Sequence, residues 1–143
     1  MTPGSPSVVY WDTSAIVSAL FEDAHSAEAT RVGRSAGTHL LSTLAWAETQ
    51  AVIARIEREK LLASVLIGAA RDVLVSGPWR RLRIDPDWSD AERLARAWPL
   101  RGADLWHLAT AKELQRELPE LGFLTFDSRL SAAALGEGFR ALA

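Results

Sequence analysis

Short apolar runs alternate with longer segments of helical periodicity from one end of the chain to the other, and this alternation restricts the fold more than any other feature. Val8 to Trp11 reads as a strand that ends at Asp12-Thr13-Ser14, where a helix cap is chemically natural. Helices are expected over Ala15 to Phe21 and His25 to Ser35, then a short strand over His39 to Ser42. Leu44 to Glu59 and Leu61 to Ser76 read as two successive helices, broken by Gly77-Pro78. A strand over Arg81 to Ile84 precedes helices over Trp88 to Trp98 and Gly102 to Glu117. Phe123 to Phe126 is a strand, Ser128 to Leu135 a helix, and Phe139 to Leu142 a last short strand. Strands that alternate with helices in this way predict an α/β fold with a largely parallel sheet. No segment repeats or is low in complexity, and no linker separates two cores, so 143 residues read as one domain.

Composition narrows the class. Apolar residues make up 48% of the chain and charged residues 24%, which excludes intrinsic disorder. No apolar run reaches the ~18 residues of a membrane span. Met1 to Ser7, with two prolines and a glycine, lacks the layout of a signal peptide and reads as a flexible tail before a domain over 8–143. The absence of cysteine excludes disulfides, thiolate zinc sites and cysteine nucleophiles. With 16 basic against 18 acidic side chains the net charge is −2, which argues against nucleic-acid binding through bulk positive charge. A cytoplasmic protein is expected. Only Lys60 and Lys112 are lysines, an arginine bias that reads as base composition rather than phosphate recognition.

In open parallel sheets ligands bind outside the carboxyl ends of the strands. Asp12 directly follows the first expected strand and Asp127 follows Phe123 to Phe126. Glu48 and Asp104 fall in the first turns of helices. Leu44, Ala51 and Val52 share the helix face of Glu48, and Leu100, Leu108 and Ala111 share that of Asp104, with His107 three residues on. An acid in an apolar stripe is costly unless something pairs with it. Four converging carboxylates would repel by ~4 kcal/mol per close pair at about 4 Å. Protonation or a divalent cation would relieve this, and hard oxygen donors select Mg2+ or Mn2+ over zinc.

Four blocks now carry a resemblance: Val9-Tyr10-Trp11-Asp12-Thr13-Ser14-Ala15, Glu48, the run from Leu100 to Ala109 around Asp104, and Thr125-Phe126-Asp127-Ser128-Arg129-Leu130. In order and spacing they resemble the PIN-domain pattern, and most of all VapC-type toxins, the ribonuclease half of a bacterial toxin–antitoxin pair. The resemblance implies a doubly wound sheet of about five parallel strands with helices on both sides. It implies that Asp12, Glu48, Asp104 and Asp127 bind Mg2+ or Mn2+ and form the catalytic set with Thr125, with Ser14 as a supporting hydroxyl. The implied activity is endonucleolytic cleavage of RNA by in-line attack of an activated water, leaving 5′-phosphate and 3′-hydroxyl ends. A homodimer and a VapB-type antitoxin that fills the site are the implied partners. Trp106 departs from the pattern, since smaller residues are frequent there.

Plainer readings stand beside these. Asp12 is also a natural N-cap, Thr125 a β-favouring residue, and Ser14 and Ser128 helix-start hydroxyls. His107 reads as a packed, hydrogen-bonded core histidine, and His25 and His39 have no partners at ligand spacing. Arg101 suits phosphate steering or a surface ion pair; Glu22 and Asp23 suit solvent or a partner. Asp85, Asp87 and Asp90 read as capping acids before the helix at Trp88. Trp11, Trp46 and Trp106 are expected near the core or a dimer surface. A receiver-type module fails for want of paired acids after the first strand and a late lysine, and a haloacid-dehalogenase-type phosphatase because Ser14 stands where a second aspartate is needed. A non-catalytic PIN-like protein-binding or RNA-binding module is the remaining alternative.

Overall fold

The computed structural model describes residues 7–140 and 142. Its four strands are β1 (Val8–Trp11), β2 (Thr38–Ser42), β3 (Trp79–Leu82) and β4 (Gly122–Leu124). Helices α1 (Thr13–Leu20) and α2 (Ser26–Gly33) join β1 to β2, and α3 (Thr43–Arg58) and α4 (Ser64–Ser76) join β2 to β3. Helices α5 (Trp88–Ala97) and α6 (Gly102–Gln115) lead to β4, and α7 (Ser128–Gly136) follows it. The strands lie in the order β3-β2-β1-β4, and every pairing is parallel. The chain thus winds outward from β1 through β2 to β3, then returns to pair β4 on the other side of β1. That reversal opens a crevice between the carboxyl ends of β1 and β4, the usual ligand position in such sheets.

Alternation along the buried central strand distributes its side chains to two cores. Val9 and Trp11 pack with Ile16 of α1, Ile53 of α3, and Ile67 and Leu74 of α4. Tyr10 points the other way, among Leu94 of α5, Leu108 of α6, Phe123 and Leu130 of α7. Helices α1 to α4 therefore cover one face and α5 to α7 the other, the doubly wound arrangement that the sequence implied.

Element ends shift by one to three residues at several places, and three departures bear on the sheet. β3 begins at Trp79 rather than Arg81, because Trp79 pairs with His39 and packs edge-on to Trp11 at 5.3 Å between ring centroids. β4 ends at Leu124 rather than Phe126, because Thr125 and Phe126 leave the ladder to bond with Asp12 and Ser14. The fifth strand expected over Phe139 to Leu142 contracts to a single parallel bridge between Gly122 and Arg140, so the sheet has four strands among the described residues. Of the expected tail only Ser7 lies within the described residues, where its carbonyl accepts from the Thr38 amide at 2.8 Å.

Candidate active site

The carboxyl end of β1 places Asp12 at the crevice, where it caps α1 by accepting from the Ala15 amide at 2.9 Å. The side chain is buried, and its second oxygen accepts from Thr125 Oγ1 at 2.5 Å. Ser14 Oγ lies 2.7 and 2.9 Å from the two Asp12 oxygens. The same Ser14 oxygen accepts from the Phe126 amide at 3.1 Å, and Thr125 Oγ1 accepts from the Asp127 amide at 3.1 Å. Two hydroxyls thus stitch the end of β1 to the segment leaving β4. Burial pushes the Asp12 carboxyl above its ordinary value, against the pull of the Thr125, Ala15 and Ser14 hydrogen bonds.

Glu48 enters from the second turn of α3 and is held from the opposite side. Thr13 Oγ1 donates to Glu48 Oε1 at 2.6 Å, and His107 Nε2 lies 2.9 Å from the same oxygen. His107 Nδ1 lies 2.8 Å from the Tyr10 hydroxyl. Burial raises the Tyr10 phenol far above its ordinary value, so it stays protonated. Ionised Glu48 can only accept, which places an imidazole proton on Nε2, and in the neutral ring Nδ1 then accepts from the Tyr10 hydroxyl. Hydrogen bonding from His107, with a smaller part from Thr13, holds the Glu48 carboxyl below its ordinary value despite partial burial. Both bonds fall on Oε1, and Glu48 Oε2 has no hydrogen bond among the described residues.

Asp104, in the first turn of α6, and Asp127, the N-cap of α7, line a cavity of about 250 Å³ with Arg101, Ser128 and Arg129. Asp127 Oδ1 accepts from the Leu130 amide at 2.9 Å, and its other oxygen has no hydrogen bond among the described residues. Asp104 makes no side-chain hydrogen bond to the described residues. Burial raises its carboxyl, and the charges of Asp127 and Glu48 raise it further, with His107 and Arg101 opposing.

The four acids therefore face one end of the sheet from four elements. They do not form a tight cage: among the described residues, three carboxylates with oxygens within 4.8 Å of one another occur only at Asp87, Asp90 and Glu113. There Arg116 supplies the counter-charge, 2.5 Å from Asp90 and 3.0 Å from Glu113, while Asp87 caps α5 through the Ser89 amide at 2.8 Å. That cluster is an ion-paired surface feature. For a divalent cation the donor set at the crevice fits better. It offers hard carboxylate oxygens, of which Glu48 Oε2, one Asp127 oxygen and both Asp104 oxygens are uncommitted, around a carboxyl that burial and like charge already penalise.

Sequence reasoning left out Thr13, which reaches Glu48 across 35 residues, and Tyr10, which orients His107 across 97. Neither carries a local signal, since a threonine at a helix start and a tyrosine in a strand are ordinary. Asp23 accepts from Ser18 Oγ and the His25 amide, both at 2.8 Å, and so closes the α1–α2 turn. His39 is buried and accepts from Trp11 Nε1 at 3.0 Å. Trp46 is half-buried under the Arg81 guanidinium at 4.9 Å, and Trp106 is exposed.

Comparison with known proteins speaks to the family and the fold. No curated protein matches the chain. Among solved structures, the VapC20 toxin of Mycobacterium tuberculosis, described as cleaving the sarcin-ricin loop, is similar with a TM-score of 0.56 at 18% identity, covering 87% of this chain and 94% of that one. At that identity the likeness speaks for the fold. The PIN domain family model matches residues 9–135, from β1 to α7 and through all four acids. The chain belongs to the PIN domain family.

Proposed function

We propose that the chain is a metal-dependent endoribonuclease that acts as the toxin of a toxin–antitoxin pair. One observation supports the reading: Asp12, Glu48, Asp104 and Asp127, from four separate elements of a PIN domain, face the same end of the sheet. Asp12, Glu48, Asp104 and Asp127 would hold Mg2+ or Mn2+, with Thr125 and Ser14 fixing the Asp12 carboxylate. Bound there, a divalent cation supplies charge to the phosphoryl oxygens and a water of lowered pKa.

The chain's own residues do the positioning. Asp12 is immobilised by an amide and two hydroxyls, and Glu48 by Thr13 and the Tyr10–His107 pair, so neither carboxylate needs to reorganise when substrate arrives. Arg101 and Arg129 border the cavity that Asp104 and Asp127 line, and offer guanidinium groups to the flanking phosphates of an RNA strand. Attack at phosphorus opposite the 3′ oxygen breaks the P–O3′ bond and leaves 5′-phosphate and 3′-hydroxyl ends.

A VapB-type antitoxin would block this site with an arginine spanning two of the acids, in competition with the cation. A cytoplasmic location and a homodimer belong to the same reading. The similar VapC20 is described as acting on the sarcin-ricin loop, which makes that RNA hairpin the first substrate to assay. Cleavage by the wild type with Mg2+ or Mn2+ is expected to fall about 100-fold or more in Asp12→Asn and in Asp104→Asn, with folding retained. Undiminished activity in both variants would overturn the mechanism.

A further inference from the structure

Beside the acidic site, and outside the four-acid set, the exposed ring of His25 lies flat on Phe126, with centroids 4.5 Å apart and an interplanar angle of 6°. Both rings line a groove of about 420 Å³ that also takes in Thr125, Asp127 and Ser128. Asp127 and Ser128 also border the neighbouring cavity with Asp104, Arg101 and Arg129, so the two depressions share a rim. Resting on the nuclease reading above, we propose that His25 on Phe126 is a stacking platform for one nucleobase of a single-stranded RNA segment, next to the phosphate held at the acids.

Three features carry this. First, the platform is tied to the site: the Phe126 amide donates to Ser14 Oγ, and the same hydroxyl lies 2.7 Å from Asp12. Second, it is preorganised. The His25 amide donates to Asp23 Oδ1, Ser18 Oγ to Asp23 Oδ2, and the Asp23 amide to Ser26 Oγ, each at 2.8 Å, so the turn presenting His25 is fixed from several directions. Third, His25 is exposed while one face of its ring rests on Phe126, which leaves the other face to a ligand with a π surface. A base stacked there extends a pair of rings already parallel. Stacking of this kind selects unpaired nucleotides over duplex while tolerating any base, which matches a chain whose net charge of −2 offers little bulk attraction for RNA.

The test reads stacking separately from cleavage. A single-stranded RNA oligonucleotide carrying 2-aminopurine is titrated into Asp104→Asn protein, used to prevent cleavage, with His25→Ala and His25→Phe added in turn. Binding is expected to quench the fluorescence. His25→Ala should abolish the quenching and weaken binding about tenfold, and His25→Phe, which keeps a ring without the imidazole nitrogens, should restore both. Unchanged quenching and affinity in His25→Ala would overturn the platform, and so would equal loss in His25→Phe. Wild-type protein that quenches but does not cleave would uphold the platform and overturn the nuclease reading. Cleavage without quenching, wherever the label is placed, would do the reverse.

Discussion

At Asp12 a buried carboxyl depends on donors from three directions, and each donor also serves another part of the site. Thr125 gives its proton to Asp12 and accepts from the Asp127 amide, so one hydroxyl sets both the β1 and the β4 acids. Thr125→Val keeps the shape and removes both bonds. It should lower stability by about 1–2 kcal/mol, read as a reduced urea midpoint with an unchanged slope, and should reduce cleavage as Asp12 and Asp127 lose registry. Asp104 presents the opposite case, a carboxyl raised by burial and by Asp127 and Glu48 with no hydrogen bond to compensate. Mn2+ or Mg2+ should therefore raise the melting temperature in a concentration-dependent way, and Asp104→Asn should largely remove the effect. A chelator should return the wild type to the metal-free value, as followed by differential scanning calorimetry.

Helix ends organise the next scale. Asp12, Ser42, Asp87 and Asp127 each cap a helix with a side-chain oxygen, which explains why acids and hydroxyls gather where strands turn into helices. The far end of α7 is tied down by Glu137, which accepts from Trp98 Nε1 at 2.9 Å and pairs with Arg93 and Lys112, both at 3.1 Å. One carboxylate thus joins α5, α6 and α7. Burial alone would raise its pKa, but the Trp98, Arg93 and Lys112 bonds outweigh it and bring the value from 4.5 to about 2. Its folded pKa lies below its unfolded one, so its contribution is complete above about 4.5 and is lost as the pH falls toward about 2. Glu137→Gln should cost about 1–3 kcal/mol at neutral pH and flatten the decline of stability across that window. Denaturation midpoints measured from pH 7 down to about 2 check both.

Across the whole molecule, apolar surface is distributed unevenly. Helix α4 buries Ile67, Ala70 and Leu74 against the sheet, while Val65, at 75% exposure, and Leu66, at 52%, face outward with Leu62, Ala69 and Val73. The outward stripe is the candidate self-association surface, and it continues into exposed Leu61. Removing such a stripe from water is the driving force for a homodimer. Sedimentation or light scattering at tens of micromolar should show a dimer for the wild type and a monomer for Val65→Glu combined with Leu66→Lys. Both side chains are exposed, so the double variant should keep its circular dichroism spectrum.

The strands, the helices and the acids that follow the strands were legible because their signals are local. Alternation and helical periodicity repeat within a few residues, and the acids at Asp12 and Asp127 stand directly after apolar runs. At two strand ends a distant partner overrode the local pattern: Trp79 packs on Trp11, and Thr125 leaves β4 for Asp12. Tertiary structure alone decided the strand order β3-β2-β1-β4, and with it the crevice at the carboxyl ends of β1 and β4. It also decided that Tyr10 orients His107, that Thr13 holds Glu48, and that His25 lies on Phe126. Those contacts join residues 35 to about 100 positions apart. Nothing in a short window encodes them; they exist because two crossovers on one face of the sheet and one on the other bring the ends of β1 and β4 together.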